Sequence, residues 1–261
     1  MEDVVVFAAL GWEARAALDA LQGVEVVGLR TWRGYLGDGG SVRVRQTGVG
    51  LARATQAAAE AVGARLYLSC GCAGAVVPGL VAGDLVIGDR VIGLDRGGRS
   101  VGDVRVDPVA LAVWSGARSI AIRIGAVASS PVVLSCGAAK AAVARHGALV
   151  VEMESVAIAG AARDHGVACA VVKVVLDEAG DAVGLPGDVV DEETGEIDMA
   201  RVLLTLAVHP HVWRRALRLA RQKRTAERRL RDYLAVVFSA GLDALGLGPR
   251  TDADGASASV G

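Results

Sequence analysis

The stretch Val167-Ala168-Cys169-Ala170-Val171-Val172-Lys173-Val174-Val175-Leu176-Asp177 decides the fold. Residues Val167 to Leu176 are a short β-branched run and read as a strand. An Ala-rich helical stretch, Glu152 to His165, precedes it. Upstream the same alternation recurs. Val4 to Leu10 reads as strand and Glu13 to Leu21 as helix; Val42 to Gln46 is followed by a helix over Leu51 to Val62; Leu66 to Cys70 is followed by Asp84 to Ile92. Nearer the opening stretch come Ser119 to Ala128 as strand, a helix near Ala138 to His146, and Leu149 to Val151 as strand. Such alternation implies right-handed crossovers. It predicts a single α/β domain over residues 1–198, with a mixed central sheet and helices on both faces. In sheets of this kind ligands bind at the rim where strand ends and helix starts converge, and Asp177 lies at such an end.

Composition agrees. The chain of 261 residues is 52% hydrophobic but only 3% aromatic, which suits close-packed helices on a largely buried sheet. A formal net charge of −1 supplies no whole-chain field to recruit nucleic acid. Met1-Glu2-Asp3 runs straight into Val4-Val5-Val6-Phe7 without the basic region of a secretory signal, so a cytoplasmic location is expected. Leu66 to Gly83 is uncharged, yet Ser69, Pro78 and its glycines make it strand, turn, strand rather than a membrane span. Cys70, Cys72, Cys136 and Cys169 lack zinc-ligand spacing and are expected to be reduced thiols, with neither disulfide nor metal.

Residues Asp181 to Asp198, with Pro186 and Asp191-Glu192-Glu193, read as an acidic loop or flap. Residues 199–246 form a helical extension expected to pack on the same domain. Between Trp213 and Tyr233 it carries a dense basic run from Arg214 to Arg231, opposed only by Glu227 and Asp232. Such a face is usually solvated, or balances charge within the fold or at a dimer contact. Its apolar side, with Trp213, Leu217, Leu230 and Leu234, also suits peripheral membrane contact. Residues 247–261 are small and polar and are expected to be disordered.

The chemistry centres on Val151-Glu152-Met153-Glu154-Ser155 and on Asp177. Cleaving a purine N-glycosidic bond passes through a ribosyl cation-like state. A carboxylic acid of raised pKa can protonate the leaving base, while an ionised carboxylate accepts from two ribose hydroxyls.

This pairing resembles the nucleoside phosphorylase and 5′-methylthioadenosine/S-adenosylhomocysteine nucleosidase superfamily. Five pieces occur in that family's order: Ala9-Leu10-Gly11-Trp12-Glu13, Thr47-Gly48-Val49-Gly50, Leu68 to Gly74 with Val81 to Val86, the Glu-Met-Glu segment, and the strand ending in Asp177. The resemblance implies that Asp177 serves N7 of the purine, that Glu154 binds the ribose 2′ and 3′ hydroxyls, and that Met153 packs on the sugar. Glu13 would orient or activate the nucleophile. Glu152, Cys72, Ala73 and Gly74 would line the base and sugar site, and Val133 and Leu134 would sandwich the base. There are departures: Val133 stands where an aromatic base-stacker is usual, Pro131 where an acid is expected nearby, and Cys72 where serine is frequent. Among the branches, the chain is most similar to hopanoid-associated phosphorylases, through Glu154-Ser155, the Leu185-Pro186 loop, and the tail through Pro210 and Leu217-Arg218-Leu219-Ala220. That implies a lipid-linked substrate such as adenosylhopane, and a homodimer.

Each residue has a plainer reading. Glu154 could salt-bridge a neighbouring helix, Asp177 could cap a turn, and Glu13 could be a helix-start acid favoured by the macrodipole. Cys72 reads as a packing residue, and His209 and His211 as a surface turn. Gly48, Gly50 and Arg53 could cradle phosphate as a co-substrate, or form a tight packing turn. The glycine turn fails as a dinucleotide fingerprint because the third glycine is absent, and no cofactor is expected. Water or phosphate remains open as nucleophile. The rivals are a methylthioadenosine/adenosylhomocysteine nucleosidase, a futalosine hydrolase, and a silent nucleoside-binding or membrane-peripheral module.

Overall fold

A computed structural model describes residues 2–106, 122–134, 136–181 and 213–248. In chain order its elements are β1 (Glu2–Ala8), α1 (Gly11–Leu18), β2 (Gln22–Gly28), β3 (Thr31–Tyr35), β4 (Ser41–Gln46), α2 (Leu51–Ala59), β5 (Ala64–Ala75), β6 (Leu85–Leu94), β7 (Ser100–Arg105), β8 (Ile122–Ser129), α3 (Gly137–Ala144), β9 (Ala148–Glu152), α4 (Ser155–His165), β10 (Ala168–Asp177), α5 (Trp213–Ser239) and α6 (Gly241–Ala244). Within the described residues the predicted strands and helices occur, with ends shifted by a few residues. β5 is the largest departure, extending through the glycines to Ala75. The helix expected from Glu152 instead starts at Ser155, because Glu152 closes β9 and Glu154 is the N-cap.

The strands form one mixed sheet. β1 pairs in parallel with β4 and β5, and β5 in parallel with β10, while β10–β6 and β5–β9 are antiparallel. Because β6 pairs β8 and β8 pairs β9, the circuit β10-β6-β8-β9-β5 closes on itself, and β1, β4, β3 and β2 run outward from β5. β5 is therefore shared between the closed part and the open wing.

Both faces of β1 are buried, which is why Val4-Val5-Val6-Phe7 shows no polar alternation. Val4 and Val6 point to a core completed by Ala14 and Ala17 of α1 and by Leu230, Leu234 and Phe238 of α5. Val5 and Phe7 point the other way, onto Ala54 and Ala58 of α2 and Ile158 and Ala162 of α4. A smaller cluster joins Val143 of α3 to β6, β8 and β9.

Leu230 and Leu234 are fully buried against the sheet. The apolar side expected to suit a membrane is thus consumed by the fold over the second half of α5, leaving Leu217 exposed. Among the described residues no helix is long and apolar enough to cross a membrane. The flap from residue 182 onward, with Leu185-Pro186, the 198–199 boundary, His209, Pro210, His211, the Trp213 side chain and the tail from residue 249 lie outside the described residues. Leu247 and Gly248, expected to begin the disordered tail, are held by Arg65, which donates to both carbonyls.

Candidate active site

Glu13 lies in the first turn of α1, just after β1. Its Oε2 accepts from the backbone N–H of Ala9 at 3.0 Å and Leu10 at 2.9 Å, and Oε1 from that of Cys72 at 2.8 Å. The local chain thus turns back to grip its own acid, and β5 supplies the third donor. Burial pushes the carboxyl up; the Leu10 and Cys72 hydrogen bonds and Lys173 pull the other way without cancelling it. A buried, oriented carboxyl of raised pKa suits a general base.

The junction of β9 and α4 brings two more acids. Glu154 accepts at Oε1 from Gly50 N–H at 2.7 Å and at Oε2 from Met153 N–H at 3.3 Å. Gly50 precedes α2 with φ of +104°, a conformation open to glycine, and this aims its N–H across at Glu154. Burial, then the neighbouring Glu152 charge, pushes the Glu154 carboxyl up to about 8. Its neutral form is thus favoured in the free protein, and ribose hydroxyls would have to draw it toward the carboxylate that grips them.

Glu152 corrects an expectation. Its Oε1 accepts from Ser129 Oγ at 2.5 Å, and Oε2 from Ser155 Oγ at 2.9 Å and from Lys173 Nζ at 2.9 Å. Ser155 N–H donates to both oxygens and Glu154 N–H to Oε2. Occupied in this way, the carboxylate has no capacity left for a substrate. Burial favours its neutral form, but the Lys173 ammonium and the two hydroxyls outweigh that and hold its pKa low. Lys173 is held above its ordinary range: burial opposes the charge, but Glu152, Glu154 and Glu13 overcome it. Its Nζ also donates to Ser69 Oγ at 3.1 Å.

Asp177 ends β10 at a bulge, where Val175 pairs Ala73 and Asp177 pairs Gly74. Two residues of β10 thus oppose one of β5, a device that re-aims a side chain at a rim. A Cβ on Gly74 would lie 3.0 Å from Asp177 Oδ1. Lys140 of α3 donates to Asp177 Oδ2 and to the Glu178 carbonyl. Burial pushes the Asp177 carboxyl up, Lys140 draws it down, and Asp181 adds a push upward.

Glu13, Glu154, Asp177 and Lys140 line one cleft of about 200 Å³. Met153, Cys72, Ala73, Gly74, Val133 and Leu134 line it too, and its wall is largely aliphatic. Val133 is 56% exposed, so the cleft is open on that side. Cys72 has its thiol pushed up by burial and by Glu13, which suits a packing residue rather than a nucleophile. Behind the cleft a second cavity of about 10 Å³, room for one water, lies among Glu13, Glu154, Ser69 and Lys173.

Gly48, Gly50 and Arg53, open in sequence to being either a phosphate cradle or a tight packing turn, have the packing arrangement in this structure. Gly48 N–H donates to the Ala9 carbonyl at 3.1 Å and Gly50 N–H to Glu154, so neither is free for an anion. Arg53 turns to the Val49 carbonyl at 3.5 Å and does not line the cleft. This is the tight packing turn, tying the end of β4 to the end of β1.

Sequence reasoning missed Lys140, and it assigned no partner to Lys173. The signal was there. A lysine inside an Ala/Val helix, Gly137-Ala138-Ala139-Lys140-Ala141-Ala142-Val143, or inside a strand buried on both faces, is rarely buried without an acid to meet it.

In a search of curated proteins no match was found. Solved structures share the fold. The 5′-methylthioadenosine/S-adenosylhomocysteine nucleosidase of Neisseria meningitidis, in complex with methylthio-immucillin-A, superposes with a TM-score of 0.70 at 18% identity, over 92% of this chain and 100% of that one. The S-adenosylhomocysteine nucleosidase of Streptococcus pyogenes gives 0.62 at 24% identity, over 79% and 96%. Futalosine hydrolase of Helicobacter pylori gives 0.64 at 16% identity, over 94% and 97%. The sequence profile of the phosphorylase superfamily matches residues 3–207. The chain belongs to the phosphorylase superfamily.

Proposed function

We propose that the protein cleaves the N-glycosidic bond of a purine nucleoside by hydrolysis, releasing adenine from an adenosine with a large apolar 5′ substituent such as adenosylhopane. One observation carries this reading: three carboxyls from three separate strand ends, Glu13, Glu154 and Asp177, line a single cleft. Asp177 protonates N7, so that the C1′–N9 electron pair leaves with a neutral base. Glu154 gives up its proton and grips the ribose hydroxyls. Glu13 takes the proton of the attacking water, and the three backbone N–H groups on it fix its direction.

Water is favoured over phosphate by the cations. Among the described residues lining either cavity, these are Lys140 and Lys173, and each is committed to a carboxylate. Phosphate attack would need positive donors to spare. The small cavity at Glu13 has room for a water and none for a phosphate. A bulky apolar substituent is favoured by the aliphatic wall and by the open side at Val133. Any contact with a lipid surface would fall to the arginine face of α5, since Leu230 and Leu234 are in the core.

The test is to incubate the purified protein with adenosylated lipid and with methylthioadenosine, with and without phosphate, and to follow free adenine. Expected are adenine and a free ribose hydroxyl, faster from the lipid substrate and independent of phosphate. Release from neither substrate would overturn the reading. A phosphate requirement would overturn its hydrolytic part.

A further inference from the structure

The cleft wall holds one cation among the described residues, and the scheme above does not use it. Lys140 is 1% exposed on α3, and its neighbours on that helix are alanines, glycine and valine. Its ammonium donates to Asp177 Oδ2 and, at 2.8 Å, to the carbonyl of Glu178, so it spans the end of β10. Asp177 Oδ1 has no hydrogen-bond partner among the described residues, while the side chain lines the cleft. Replacing Lys140 and Asp177 together by apolar residues of similar volume would serve stability as well or better, because burying two charges costs several kcal/mol before their attraction is counted. A stability role alone does not account for it.

We propose that Lys140 is the positioning residue of the base acid: it fixes Asp177 through Oδ2, leaves Oδ1 to face the leaving purine, and stabilises the carboxylate formed there. The proposal rests on the hydrolytic reading. In the step, the O–H bond at Oδ1 breaks and an N–H bond forms at N7, while the C1′–N9 pair moves onto the base. The negative charge left on Asp177 is met at once by the Lys140 ammonium. Lys140 therefore strengthens the acid, and without it Asp177 would hold its proton too tightly.

Other charges facing this site come from every side. Asp181 follows on the same turn and is itself bound by Arg218 and Gln222 of α5. Glu178 offers Lys140 its carbonyl. Glu154, Glu152 and Glu13 line the cleft from α4, β9 and α1, with Lys173 behind them. Burial and the Asp181 charge disfavour a carboxylate at 177, and Lys140 is the adjacent group that offsets them.

The experiment compares the pH dependence of kcat for wild type, Lys140→Met and Lys140→Arg on whichever nucleoside the wild type cleaves. Alongside it, the protonated-carboxyl infrared band of residue 177 is titrated in the free proteins, as the difference from Asp177→Asn. Loss of the ammonium should move the alkaline limb and the infrared titration upward by about one pH unit or more. It should also lower the plateau about 10-fold or more, and arginine should restore part of both. An unmoved limb with an unmoved infrared titration overturns the role of Lys140, whatever the plateau does. Wild type that releases base from no 5′-substituted adenosine condemns the hydrolytic reading instead, and the infrared titration still decides whether Lys140 governs Asp177.

Discussion

Gly71 and Glu13 fit each other with no space between them: a Cβ on Gly71 would stand 2.8 Å from the Glu13 carboxyl carbon and Oε1. The glycine in the middle of β5 is thus what lets a carboxyl from α1 lie against the strand and accept Cys72 N–H. The sequence Cys70-Gly71-Cys72-Ala73-Gly74 repeats the device, since Gly74 makes the same room for Asp177.

Gly71→Ala should therefore displace the general base more than it harms the fold. A misplacement of about 1 Å costs about 100-fold in rate, while one extra methyl in a packed site costs about 1–3 kcal/mol. Steady-state base release and denaturant unfolding read the two effects. Gly160→Ala on α4, where a Cβ meets nothing within 4 Å, is the control and should leave activity unchanged.

Stability should fall as pH rises from about 4.5 toward 8. Glu154 keeps its proton up to about 8 in the folded protein, whereas the unfolded chain releases it near 4.5. In that window the native state binds more protons, so each rise in pH favours unfolding. Glu13 and Asp177, also pushed up, act with the same sign. Melting temperature measured across this range should decline in wild type and decline less steeply in Glu154→Gln.

Binding should also release a proton near pH 7, because Glu154 must ionise to accept from two hydroxyls. The binding enthalpy of a non-cleavable adenosine analogue should then depend on the ionisation enthalpy of the buffer. Glu154→Gln should abolish that dependence.

Lys173→Met should strand Glu152 as an unpaired buried carboxylate and cost about 3–5 kcal/mol. The double variant Glu152→Gln/Lys173→Met should recover part of this in chemical denaturation, because it removes both charges together.

The elements legible in the sequence were those whose physics is local. β1 and β10 are buried on both faces, so their β-branched runs stand out, and Glu13, Glu154 and Asp177 follow from the strand ends next to them. β2 was not legible: Gln22–Gly28 is exposed at every residue and is held in the sheet by its pairing to β3. The bulge before Asp177 and the pairing of Lys140 across 37 residues depend on how β5 and α3 are brought together, which no local pattern encodes. The glycine turn left two readings open for a related reason. Its N–H groups look free in sequence, but the ends of β1 and α4 claim them.

Val133→Phe should close the open side of the cleft. An added ring stacking on the base is worth about 0.5–1.5 kcal/mol, up to about tenfold in KM for methylthioadenosine. A nucleoside with a bulky apolar 5′ group should lose at least as much, and the ratio of kcat/KM values for the two reads the switch.

The most direct measurement is single-turnover adenine release by wild type and by Asp177→Asn, with circular dichroism and melting temperature showing that both are folded. An acid that delivers the proton to N7 predicts a loss of about 100-fold or more in the variant, while analogue binding is retained. Equal rates of release from the two proteins would contradict the account.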